Sequence, residues 1–152
     1  VYVHAPARLD AATAPEGRDT LIAVVPTGHL RYDSDDPELR AREEAAWEAE
    51  TARARRAVLD RLAQVGLDVG PHVTVEATAT PLTWRAHHNL VRGATHGLAH
   101  TLGQLAYLRP RNRHARYRNV YFAGASTHPG TGVPTALVSG RLAAERVLDD
   151  LG

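Results

Sequence analysis

From Arg118 to Leu151 the chain passes through a short apolar run, a loop of small residues and a helical pattern. This succession constrains the fold more than any other stretch. Residues 119–123 (Asn-Val-Tyr-Phe-Ala) are rich in strand-forming side chains and read as a buried strand. Gly124, Ala125, Ser126, Thr127, His128, Pro129, Gly130, Thr131 and Gly132 follow as a loop holding three of the chain's twelve glycines. Val133 and Pro134 open a helix: proline suits a first helical position, where its missing N–H is no loss. Leu137, Val138, Leu142, Val147, Leu148 and Leu151 continue at helical spacing. Strand, glycine-rich loop and helix start together let backbone approach a cofactor closely, with free N–H groups aimed at its electron-rich edge. The physics alone leaves the ligand open.

The remaining composition narrows the function classes. At 152 residues, one domain can bury a sizeable core. Eighteen basic and seventeen acidic residues balance, so no footprint for nucleic acid or another polyanion is present. Without cysteine there is no disulfide framework and no thiolate metal site, which fits a reducing compartment. No signal peptide and no apolar run long enough to span a bilayer is found. Methionine is absent even at position 1, so the chain is expected to be a piece of a longer product or a processed form.

Taken in order, residues 1–6 and 20–26 have strand character, and Asp10, Pro15, Glu16 and Gly17 between them supply turn chemistry. A β-hairpin with a long connection is the expectation. Tyr2, His4 and His29 are ordinary sheet residues in the plainer reading, or part of a pocket lining in the alternative. Residues 33–66 are the longest regular element. Asp36 is placed to cap a helix, Pro37 to start it, Glu38 to meet its dipole, and Gly66 with Leu67 to end it. Leu39, Trp47, Ala54, Val58, Leu62 and Val65 share one face of that helix, and its many Arg and Glu residues form a solvated surface. Residues 71–79 alternate well enough for another strand, and Thr80-Pro81 then opens a second helix. The resulting fold class is α/β, with α+β as the variant: a small, mainly antiparallel sheet, the long helix over it, and a closing strand–loop–helix. The strand at 119–123 is expected either to pair within this chain or to drive self-association through its edge.

His96 and His100 are four apart and would share a face if residues 95–104 are helical, as histidine pairs in zinc sites do. The Glu of the zincin motif is missing between them, and no third ligand is fixed by spacing, although His87 or His88 could serve. No metal is assigned.

The order of residues 124–134, with Ser139-Gly140-Arg141-Leu142-Ala143-Ala144-Glu145 after them, resembles the C-terminal signature of the bacterial-type phytoene desaturases. These are FAD-dependent carotenoid dehydrogenases of the amine-oxidase-like flavoprotein superfamily. Ser126 stands where that family usually has Gly, and Thr131 where it usually has Ala. Val-Tyr-Val-His-Ala-Pro at the start, Thr80-Pro81, residues 97–104 and Leu108-Arg109-Pro110 also match the pattern, so the resemblance touches nearly the whole chain. It implies that residues 1–112 are part of a substrate-side domain and 113–152 the C-terminal strand–loop–helix of the FAD-binding domain. It implies FAD contact by Gly124, Ala125, Ser126, Thr127, His128, Gly130, Thr131, Gly132, Val133 and Pro134. His100 would be a buried hydrogen-bonding residue of the pattern, and His96 peripheral. No catalytic residue is assigned: His128 is either an acid–base group or a brace for the loop.

The implied reaction is dehydrogenation of an apolar polyene. A hydride leaves an allylic carbon for flavin N5, a proton leaves the neighbouring carbon, and the protein supplies position and electrostatics. Family members begin with a Rossmann βαβ unit that holds the FAD pyrophosphate, and this sequence contains none; Thr135 occupies the third-glycine place after Gly130-Thr131-Gly132. The chain is therefore expected to need an N-terminal part or second subunit, and to be inactive alone. The complete enzyme is expected in the cytoplasm, touching the membrane peripherally to reach a carotenoid substrate. The alternative is a non-catalytic binding module that retains part of the fold.

Overall fold

The computed structural model describes residues 1–99, 101–104 and 108–152. The chain divides into two compact units, Val1–Gly93 and Ala94–Gly152.

In the first unit, β1 (Tyr2–His4) pairs antiparallel with β2 (Ile22–Val24), Val3 lying opposite Ala23. This is the expected hairpin with a long connection. Two short 3-10 turns, Pro6–Arg8 and Ala11–Thr13, fill that connection, and the Asp10 carboxylate caps the second by accepting from the Ala12 N–H at 3.0 Å. Both faces of the ribbon are open to solvent, and Tyr2, Val3, Ile22 and Val24 are all exposed.

Helix α1 (Pro37–Gln64) begins as its sequence dictates: Asp36 accepts from the N–H groups of Glu38 and Leu39, and Pro37 occupies the first turn. At its end Gly66 N–H bonds the Ala63 carbonyl and Leu67 N–H reaches back to Leu62, the paired closure of a Schellman motif. Leu39, Trp47, Ala54, Val58 and Leu62 all lie half-buried along one side, as their spacing predicts, while Val65 is exposed. The helix does not lie over the β1–β2 ribbon; no substantial packing joins the two. Its inner side instead meets the segment around Tyr32 and the segment before α2 (Pro81–His88).

Glu43 sits on that inner side and is buried. One carboxylate oxygen accepts from the Tyr32 N–H at 2.7 Å, the other from Trp47 Nε1 at 3.1 Å. Removing it leaves two donors without a partner, each worth about 1–3 kcal/mol where it stays dry. We expect E43A to lower unfolding stability by about 2–4 kcal/mol, and E43Q by about half as much, because its amide still accepts one bond. Urea denaturation of the complete protein reads both.

Residues 71–79 do not form the expected strand. Gly70–His72 is a 3-10 turn, and residues 73–80 run extended. Alternation is a property of single residues, whereas a strand needs a neighbour to complete its ladder. No second strand runs beside this segment among the described residues. It is tied to α1 by a forked ion pair, Arg55 Nε to both oxygens of Glu76. Thr80 and Thr83 then form a capping box at the start of α2. Leu30 is the buried hydrophobic residue of this unit; its N–H bonds the Arg92 carbonyl. Asp33 accepts from Arg85 Nε at 2.6 Å and from the Arg92 N–H at 3.1 Å.

In the second unit the expected strand at 119–123 is reduced to one antiparallel bridge, Arg113 opposite Tyr121. It is flanked by bonds from His114 N–H to the Val120 carbonyl and from Phe122 N–H to the Asn112 carbonyl. The segment thus pairs within the chain, but with too short a partner to make a strand. Residues 95–99 do not form the α-helix on which a shared His96/His100 face depends: they make a turn in which Gly97 has φ +67°, and Leu102–Gln104 is a 3-10 turn. His100 lies outside the described residues, and His96 is exposed.

Helix α3 (Val133–Leu151) closes the chain, with Ser139 buried and Leu137, Val138, Leu148 and Leu151 exposed. Near its end Asp150 accepts from the Tyr121 hydroxyl at 2.6 Å and pairs with Arg113. That hydrogen bond, aided by desolvation and the carboxylate's charge, holds the Tyr121 hydroxyl above its ordinary pKa. A raised pKa stabilises the fold while the group stays protonated, and the contribution is lost as pH rises through the folded-state value. Y121F should therefore melt below wild type at about pH 8, the gap closing above about pH 10.

Among the described residues no helix is long and apolar enough to cross a membrane.

Candidate functional site

The loop from Gly124 to Pro134 is held from beneath by three side chains. Ser139, fully buried on α3, places its Oγ 3.1 Å from Gly124 N, 3.0 Å from Asn112 Nδ2 and 2.8 Å from Thr127 Oγ1. Thr127 Oγ1 donates to the Gly124 carbonyl at 3.0 Å. A hydroxyl has one proton, so the directions follow: Ser139 accepts from Gly124 and Asn112 and donates to Thr127. Asn112, 6% exposed, also turns Nδ2 toward the carbonyls of Phe122 (3.1 Å), His128 (3.0 Å) and Ser139 (3.3 Å). Four oxygens around one nitrogen fix the amide's orientation.

Arg109 supports the other side. It is 3% exposed, and its guanidinium donates to the carbonyls of Gln104 (3.1 Å), Leu98 (3.3 Å) and Ala125 (2.5 Å). Its Nε is buried without a partner among the described residues, as is Gln104 Oε1.

The sequence-predicted residues divide between inside and outside. Thr127 and Gly130 are buried; Gly124, Ala125, His128 and Thr131 are half-buried; Ser126, Gly132, Val133 and Pro134 are exposed. His128 braces the loop through its backbone: its N–H donates to the Pro110 carbonyl at 2.8 Å, and its carbonyl accepts from Asn112. The His128–Pro129 bond is cis. Gly132 caps α3 with φ +112° and ψ 150°, and no side chain caps that helix end. Thr135 Oγ1 turns back to the carbonyls of Thr131 and Gly132. The exposed, uncapped helix start can therefore accept an electron-rich group.

The sequence profile of the "flavin containing amine oxidoreductase" family matches residues 11–148. The chain belongs to that family. Among its curated relatives, a phytoene desaturase of Fusarium fujikuroi is 38% identical over 99% of this chain and 28% of its own length. A phytoene desaturase of Neurospora crassa is 42% identical over 98% of the chain and 24% of its length. A zeta-carotene-forming phytoene desaturase of Myxococcus xanthus is 40% identical over 97% and 27%. The chain thus spans about a quarter of the length of these relatives. The family's flavin is compatible with the α3 start: the helix end is open, and Gly130 and Gly132 just before it take positive φ angles that would strain a side chain.

Arg109, Asn112 and Ser139 were not singled out as functional by sequence reasoning. Arg109 and Ser139 occur within the segments of family resemblance, but only the fold brings them to the same loop. Among the described residues no group of three His, Asp or Glu side chains could hold a metal.

Proposed function

We propose that this chain is the C-terminal part of an FAD-dependent phytoene or carotenoid desaturase, with residues 1–112 on the substrate side and 113–152 belonging to the flavin side. The observation that carries the reading is identity of 38–42% to phytoene desaturases over nearly the whole chain. Bound FAD would supply the redox chemistry, accepting hydride from an allylic carbon while a proton leaves the neighbouring carbon.

The chain's own share is positional and electrostatic. The exposed start of α3, Gly132 to Pro134, presents backbone N–H groups and the positive end of the helix dipole to the cofactor's electron-rich edge. Asn112, Ser139 and Thr127 hold the loop in that shape from inside. The exposed apolar residues of α3 and of the β1–β2 ribbon suit burial by the rest of a longer protein. The substrate is an apolar polyene, and the complete enzyme works at the cytoplasmic membrane surface without spanning it.

The test joins this chain to the N-terminal part that completes it. A yellow protein that desaturates phytoene, beside a colourless and inactive isolated chain, is the expected result. A folded complete protein with no flavin would favour a non-catalytic binding module instead.

A further inference from the structure

Arg109 is the buried charge that the functional reading leaves unused. A guanidinium at 3% exposure ordinarily rests against a carboxylate, because an unpaired charge in a dry site is costly. Among the described residues every hydrogen bond it makes goes to a main-chain carbonyl: Leu98, Gln104 and Ala125. Carbonyl dipoles orient the cation without cancelling its charge. Among the described residues its Nε finds no partner, and a Cβ added at Gly130 would stand 3.7 Å from that atom. The positive charge therefore lies against the loop, bonded to the Ala125 carbonyl and next to Gly130.

We propose that Arg109 is an electrostatic positioning residue that biases the bound flavin toward its reduced state. This rests on the functional reading above, in which the loop faces the cofactor. Uptake of a hydride brings two electrons and one proton, and so adds one negative charge to the cofactor. A fixed, low-dielectric positive charge behind the loop binds that state more tightly than the oxidised one, and the difference is the shift in reduction potential. The N-terminus of α3, at the end of the same loop, acts in the same direction.

The experiment measures the midpoint potential of flavin in the complete protein carrying this chain, with flavin content and melting temperature recorded for every variant. R109Q should weaken binding of the reduced flavin relative to the oxidised flavin at least tenfold, a fall of about 30 mV for a two-electron couple. R109K keeps the charge and loses the fork, and should hold the ratio within about threefold of wild type. Q104E keeps Arg109 and its carbonyl bonds, and adds an anion on a residue that Arg109 already touches. It should lower the potential in the same direction as R109Q, and it serves if R109Q fails to fold. Unchanged potentials in folded, flavin-bearing R109Q or Q104E would overturn the proposal while leaving the desaturase reading intact. An equal fall in R109K and R109Q would also overturn it, assigning the effect to bracing geometry. A complete protein that holds no flavin removes both readings together.

Discussion

Gly132→Val, in the complete protein carrying this chain, is expected to lose nearly all of its flavin, while His128→Ala keeps most of it. At φ +112° and ψ 150° Gly132 occupies a backbone region that is essentially reserved for glycine. Within the chain a Cβ there would meet only Thr135 Oγ1, at 3.1 Å, so local crowding is mild and the backbone angle carries most of the cost. A β-branched side chain in that region costs about 3 kcal/mol. Where binding depends on this shape, that is on the order of a hundredfold in affinity. His128 is a different case. Its two bracing bonds belong to its main chain, to Pro110 and from Asn112, and both survive truncation to alanine. Loss of the imidazole removes at most one hydrogen bond, about 0.5–1.5 kcal/mol. Flavin absorbance per mole of polypeptide separates the two variants. Normal flavin content and desaturation in G132V would mean that the loop does not face the cofactor.

What could be read from the sequence was the structure whose causes are local. Asp36, Pro37, Gly66 and Leu67 bound α1 through bonds spanning at most five residues, so their identity is nearly their geometry. The inner face of that helix was legible from Leu39, Trp47, Ala54, Val58 and Leu62. Glu43 was not, because a carboxylate on an apolar stripe can only be recognised once Tyr32 N–H is known to reach it. The two strand expectations, 71–79 and 119–123, failed for a shared reason. Alternation and β-branched content describe how a segment would sit in a sheet, and neither tells whether this chain supplies the neighbour. At 119–123 the available neighbour is the single position Arg113.

The loop's small residues and its position before a helix were legible, and so was its likeness to a flavoprotein segment. Its underside was not. The Asn112–Ser139 bond spans 27 residues, and the Arg109–Ala125 bond spans 16. No periodicity links such positions. A serine inside an apolar helix and an asparagine after Pro110 are unremarkable until both meet Gly124 and Thr127 in one buried cluster.

That cluster supports the second large expectation: Asn112→Asp should be more damaging than Asn112→Ala, although it is far closer in shape. Truncation to alanine withdraws one nitrogen from the carbonyls of Phe122 and His128 and from the Ser139 hydroxyl. Acceptors left without a partner in a dry site cost about 1–3 kcal/mol each, so N112A should lose about 3 kcal/mol. N112D does more than withdraw a donor. It turns a carboxylate oxygen toward the four oxygens that surround the amide nitrogen, and an unpaired buried charge costs about 3–5 kcal/mol. The surrounding acceptors and the burial both raise that carboxyl's pKa, since each disfavours the charged form. Protonation restores one donor, so the deficit of N112D against wild type should shrink as pH falls below the raised value, whereas that of N112A should stay level. Denaturation of the complete proteins at about pH 5 and about pH 8 reads both trends. Equal, pH-independent losses would mean that the Asn112 nitrogen does not face the carbonyls, and that the loop takes its shape from Ser139 and Thr127 alone.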